Sequence, residues 1–131
     1  MFLNRLTDKQ KKAFLAIAMK IVGADRRLDL RERRALEAMR YEMGLWTETD
    51  IPMGSIAELA QPFDTRQSQV VLMIEGIGLA LADDELHGEE EKILRALALI
   101  FKLSEEEATA MENWVSRFKK LQKEAEAMMS Q

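Results

Sequence analysis

One segment of this chain occurs twice. Ala24-Asp25-Arg26-Arg27-Leu28-Asp29-Leu30-Arg31-Glu32 is echoed by Ala82-Asp83-Asp84-Glu85-Leu86-His87-Gly88-Glu89-Glu90. The echo continues downstream at the same offset: Leu36 with Leu94, Ala38 with Ala96, Leu45 with Leu103. Each copy follows an apolar stretch and leads into a patterned one. The segment reads as a duplicated helix–loop–helix in which an Asp stands first and a Glu follows seven positions later. It constrains the fold class to all-α and singles out the one candidate site.

Helical start signals recur along the chain. Thr7-Asp8-Lys9-Gln10 has the form of a capping box, in which the Thr side chain accepts from an early backbone N–H and the Gln reaches back to another. Asp29-Leu30-Arg31-Glu32, Ser55-Ile56-Ala57-Glu58 and Ser104-Glu105-Glu106-Glu107 are of the same kind, and Asp64-Thr65-Arg66-Gln67 is a further start. Gly44 can close a helix in the left-handed conformation. Pro52, Gly54 and Pro62 punctuate the middle. The pattern predicts helices over about 8–24, 30–43, 56–60, 65–82, 88–102 and 105–128.

Apolar residues recur at helical spacing: Phe14, Ile17, Ala18 and Ile21; then Ile93, Leu94, Leu97, Ile100 and Phe101; then Met111, Trp114, Val115, Phe118 and Leu121. The stretches near 14–22 and 70–82 are apolar nearly all round and are expected at the centre of a bundle. Gly76 and Gly78 each cost about 1 kcal/mol of helix propensity relative to Ala, so close approach of another helix, the one near 14–22, is expected there. Most of the nine methionines are expected to fill gaps in the core, and Trp46 to pack.

The 131 residues suit one domain with one core. We read 1–131 as that domain, with its core over about 8–118 and a C-terminal helix to about 128. A net charge of -4 argues against a general nucleic-acid binder, which is usually basic. The absence of cysteine removes disulfides, thiolate nucleophiles and zinc–cysteine sites, and it is compatible with a cytoplasmic protein. No secretion signal is read at Met1–Leu6. The run from Val70 to Ala82, interrupted by Glu75, is about five residues short of a membrane span.

At the repeated segment the chain resembles the TerB-like family, the tellurite-resistance-associated helical domain also found in some DnaJ-type co-chaperones. The family pattern is an apolar helix, Ala-Asp-Gly, an aliphatic residue, a short acidic turn and a Glu opening the next helix. Ala24, Asp25, Leu28 and Glu32 match in the first copy, and Ala82, Asp83, Leu86 and Glu90 in the second. With its flanking helices the resemblance spans roughly 8–118. The family's Gly after Asp is replaced by Arg26 and Asp84, so the residue that takes a left-handed backbone at low cost is missing. The resemblance implies a non-enzymatic stress-response domain and a divalent cation, such as Ca²⁺, held at Asp25, Glu32, Asp83 and Glu90.

The residues themselves leave alternatives open. A Glu in the first turn of a helix is favoured by the helix dipole and can satisfy an orphan N–H, which makes the motif a device for turning one helix into the next. The first copy lies among Arg26, Arg27, Arg31, Arg33 and Arg34, which oppose a cation. The second gathers Asp83, Asp84, Glu85, Glu89, Glu90 and Glu91 with only Lys92 close by. Hard cations take several carboxylate and carbonyl oxygens, which such a turn supplies. The spacing is not that of the twelve-residue EF-hand loop. His87 reads as a cap or an exposed side chain. Glu75, inside an apolar run, is expected at a rim or paired with a base; a buried Glu75 of raised pKa is the one acid on which an enzyme would rest.

The expected function is therefore recognition of a protein partner through helix faces, tuned by a divalent cation at the second acidic turn, with a homo-oligomer as a further option. One rival is a structural adaptor without metal, in which Glu32→Ala and Glu90→Ala each cost about 1 kcal/mol as lost caps. Another is a regulator that contacts an acidic partner, or less plausibly nucleic acid, through the arginine-rich stretch Arg26–Arg40.

Overall fold

Six α-helices form among the described residues. They are α1 (Asp8–Gly23), α2 (Leu30–Glu42), α3 (Ile56–Ala60), α4 (Arg66–Ala80), α5 (Gly88–Ile100) and α6 (Glu105–Met129), preceded by a 3-10 turn at Leu3–Arg5. The computed structural model describes residues 1–23, 30–47, 50–82 and 88–130. Among these every regular element is a helix and there is no strand, and the helix ends fall within about two residues of those expected.

The caps explain the starts. Thr7 N–H donates to Gln10 Oε1 at 2.9 Å, and Gln10 N–H donates to Thr7 Oγ1 at 3.2 Å. Ser55 with Glu58, and Ser104 with Glu107, complete reciprocal boxes. The start expected at Asp64 lies one residue later. Thr65 is the N-cap and Ser68 its partner, because a second short hydroxyl does the work of the longer Gln or Glu side chain. Asp29, expected to cap α2, lies outside the described residues.

The stops of α2 and α5 follow one geometry. Gly44 has φ 73°, and the next N–H, of Leu45, donates to Arg40 O at 2.8 Å. After α5 the same role falls to Lys102, with φ 55° and Leu103 N–H donating to Ala98 O at 2.9 Å. The pairs Thr7/Thr65, Gln10/Ser68, Leu30/Gly88 and Gly44/Lys102 are each 58 residues apart, as are Ala24 and Ala82. One offset thus relates starts and stops of α1–α2 to those of α4–α5.

Helix α4 is the centre of the packing, in contact with α1, α2, α5 and α6. Phe14, Leu15, Ile17 and Ile21 of α1 and Leu72, Met73, Ile77 and Leu79 of α4 are fully buried, joined by Leu94 and Leu97 of α5 and Met111 and Val115 of α6. Burying each such side chain contributes about 1.5–3 kcal/mol, and truncating Phe14 to Ala would cost about 3–5 kcal/mol. The expected close approach occurs at Gly76 alone. A Cβ there would stand 3.3 Å from Leu94 Cδ2 and 3.5 Å from Ile21 Cδ1, whereas one at Gly78 would meet nothing within 4 Å.

Two packing expectations are corrected. Only Met43, Met73 and Met111 are buried, while Met1, Met19, Met53, Met128 and Met129 are exposed. Trp46 is 58% exposed; the turn closed by Gly44 carries it outward. Among the described residues no helix is long and apolar enough to cross a membrane.

Helix directions set the position of the motif. Gln10 Nε2, near the start of α1, donates to Pro62 O, just before α4, at 3.0 Å. Gly76, near the end of α4, lies against Ile21, near the end of α1. Helices α1 and α4 therefore run in the same direction. The last residues of α1 and α4, which the two copies follow in sequence, lie at one and the same end of the bundle.

Candidate functional site

Glu32 and Glu90 each occupy the third position of a helix, in the first turns of α2 and α5. Their exposures are 2% and 0%. Both helices begin at the end of the bundle where α1 and α4 finish. One turn after Glu90, Leu94 packs on Gly76. One turn after Glu32, Ala35 and Leu36 pack against the core. The inward side of each first turn is thus fixed by apolar contacts one turn later, and each glutamate is drawn inside with that face. Both are engaged by electrostatic or hydrogen-bonding contacts. Asp25 and Asp83, the other two expected cation ligands, lie outside the described residues, as do Asp84, Glu85 and His87.

The burial distinguishes these two glutamates from ordinary caps. Glu58, which completes a capping box, is exposed to solvent, and Glu107, which completes another, is half-buried. The backbone N–H of Ser55 holds the Glu58 carboxyl below the usual carboxylate range. The backbone N–H of Ser104, then Arg66, do the same for Glu107. Neither of these capping glutamates is buried as Glu32 and Glu90 are.

The remaining described acids of the second copy face outward. Glu89 pairs with Lys92 Nζ at 3.0 Å, and Glu91 accepts from Arg95 at 2.6 Å. Exposed pairs of this kind contribute about 0–1 kcal/mol. Arg31, Arg33 and Arg34 of the first copy are exposed as well. Among the described residues no three carboxylates or histidines gather as a ligand set. The part of the expected site that the structure describes is therefore its two buried glutamates.

A residue that sequence patterning did not single out lies beside the second copy. Lys119 of α6 donates to Leu81 O, at the end of α4, at 2.6 Å. A cation there satisfies one of the last carbonyls and complements the helix dipole. Its partner is 38 residues away, so no local spacing could reveal it.

Glu75 is buried on α4 and faces a cleft of about 310 Å³ between α2, α4 and α6. It is paired, as expected, but with the chain's own first residues. Glu75 Oε1 accepts from Phe2 N–H at 2.9 Å and lies 3.2 Å from the Met1 ammonium. Glu42 of α2 grips the same ammonium at 2.9 Å and 3.1 Å and accepts from Leu3 N–H at 3.2 Å. Burial, the largest single influence, lowers the pKa of the Met1 amine, but hydrogen bonds and charge from Glu42 and Glu75 together raise it above its ordinary value. Phe2, Trp114 and Phe118 form the aromatic wall, with Trp114 and Phe118 stacked at 5.5 Å.

No protein-family model, curated protein or solved structure matches the chain.

Proposed function

We propose that this chain is a non-enzymatic interaction module of the TerB-like type, serving a tellurite-resistance-type stress response in the cytoplasm. In this reading its duplicated turns hold a divalent cation such as Ca²⁺ through Asp25, Glu32, Asp83 and Glu90, and the cation orders the turns for a protein partner. The family assignment rests on the doubled Asp/Glu segment. It is supported by the single offset that relates the caps, starts and stops of α1–α2 to those of α4–α5.

The observation that carries the cation is the burial of Glu32 and Glu90 at 2% and 0% exposure, at equivalent positions and at the same end of the bundle. Both carboxylates already make contacts within the protein, and two inward carboxylates at one end of the bundle are oxygen donors of the kind a hard cation takes. Asp25 and Asp83, which follow α1 and α4 in sequence, are the two further ligands that the resemblance names.

Calorimetric titration with Ca²⁺, Mg²⁺ and Zn²⁺, on wild type and on Asp83→Ala and Glu90→Ala, tests the cation. Heat with one ion that is lost in both variants supports it. An absence of heat with every ion leaves the metal-free adaptor in its place. Tellurite tolerance of cells carrying wild type against cells carrying the paired Glu32→Ala/Glu90→Ala variant tests the stress assignment. Equal tolerance, with both proteins present at equal levels, would remove it.

A further inference from the structure

Of the two glycines of α4, packing explains only Gly76. Gly78 costs about 1 kcal/mol of helix propensity, yet a Cβ there would meet nothing within 4 Å. It lies in the floor of the cleft between α2, α4 and α6, one turn beyond Ile74. The missing side chain leaves the backbone bare at this point and the cleft deeper by a methyl group.

The walls of the cleft are apolar. Ala35 and Met39 of α2 stand on one side, and Trp114 and Phe118 of α6 on the other. The two rings are 9° from parallel and half-buried, so they offer a flat aromatic surface. The volume, about 310 Å³, is at the lower end of the range for small-molecule clefts.

Charge sits at the two ends. Lys119 is held on Leu81 O, where α4 stops. Glu75 lies six residues earlier, about 9 Å back along the helix. Among the residues lining this second end, the carboxylates of Glu42 and Glu75 share one ammonium, that of Met1. One negative charge is left in excess there. Glu75 is 7% exposed and lines the cleft. Its Oε1 takes both contacts with the N-terminal segment, from Phe2 N–H and from the Met1 ammonium. Its Oε2 has no donor among the described residues. A carboxylate oxygen so placed accepts a charge-assisted hydrogen bond from a cationic donor.

We propose that this cleft is a binding site for a primary amine with an aromatic or alkyl body. The ammonium of the ligand pairs with Glu75 Oε2 beside Glu42. Its apolar body lies over Ile74 and Gly78, against Trp114 and Phe118. Gly78 lets the body reach the floor, which gives the otherwise unpacked glycine a use. An organic acid of the same shape meets repulsion at the Glu75 end. The cleft contains neither Glu32 nor Glu90, so the site stands apart from the cation reading.

Calorimetric titration of the full chain, its Met1 amine free, with 2-phenylethylamine, cyclohexylmethylamine and hexylamine tests the site. Saturable binding of at least one amine is expected. The fluorescence of Trp114, read in Trp46→Phe because the chain has two tryptophans, is expected to change in step. The anionic control, 3-phenylpropanoate, is expected to bind at least about tenfold more weakly. Glu75→Gln keeps an acceptor for Phe2 N–H, and Gly78→Ala points into open space, so both are expected to fold, which circular dichroism verifies. Each is expected to weaken amine binding at least about tenfold. Failure of all three amines to bind at up to about 5 mM overturns the proposal. Equal binding of the acid overturns the amine as the ligand class. Amine binding that either variant leaves unchanged places the ligand elsewhere and overturns the site.

Discussion

Glu75 accepts the backbone N–H of Phe2 at 2.9 Å, across 73 residues of chain. The acid that an enzymatic reading would need is thereby engaged in holding the N-terminal segment against α4. With Glu42 it forms a clamp that closes one side of the cleft between α2, α4 and α6. Replacing Glu75 by Leu removes the acceptor and leaves a part-buried N–H without it. The expected loss is about 1–3 kcal/mol, while Glu75→Gln, which keeps an oxygen in place, loses less. Urea midpoints of the two variants check the order, and equal loss from both would show that charge rather than the hydrogen bond matters.

The Met1 amine gives this clamp a pH dependence. Its pKa is raised in the folded chain, despite the opposing effect of burial, by Glu42 and Glu75. A raised pKa means that the stabilisation is fully present below the unfolded value, about 8, and is lost as pH rises through the folded one. Stability is expected to fall more steeply above that value in wild type than in the Glu42→Gln/Glu75→Gln variant. Thermal melting across pH 7–10, compared between the two proteins, measures the difference.

The two glycines of α4 separate propensity from packing. Gly78→Ala meets nothing within 4 Å, so it should stabilise by up to about 1 kcal/mol, the propensity gain. Gly76→Ala brings a methyl to 3.3 Å from Leu94 Cδ2, and crowding offsets the same gain. A larger increase in the urea midpoint at Gly76 than at Gly78 would contradict the close packing of α1, α4 and α5.

The stops of α2 and α5 differ in one residue. Lys102 holds φ 55° where the equivalent position is Gly44. A left-handed backbone costs a side-chain-bearing residue about 1–2 kcal/mol, so Lys102→Gly is expected to stabilise by about 1 kcal/mol and Gly44→Ala to destabilise by a similar amount. Denaturation midpoints of both variants check the pair.

Local signals were legible in the sequence and long-range ones were not. Thr7/Gln10, Ser55/Glu58 and Ser104/Glu107 announce helix starts because a capping box is complete within four residues. The central place of α4 follows from its apolar run. The Asp/Glu segment pointed to Glu32 and Glu90, but their burial depends on the apolar face one turn further on, where Leu94 meets Gly76. The clamp on Met1 and the Lys119 contact to Leu81 join residues with no periodic relation, so nothing in the spacing marks them. Methionine was the least legible residue: an unbranched apolar side chain fits a core position and an exposed stripe equally well, and Met128 takes the second.

In the proposed reading the buried glutamates Glu32 and Glu90 serve a cation. A ligand that binds only the folded chain raises stability by about 2.7 kcal/mol at a hundredfold excess over its dissociation constant. The most direct measurement is the melting temperature in chelator and in millimolar Ca²⁺, for wild type and for Glu90→Gln. The account predicts a rise with Ca²⁺ in wild type that the variant loses. A wild-type melting temperature that is the same in chelator and in Ca²⁺, Mg²⁺ or Zn²⁺ would contradict it.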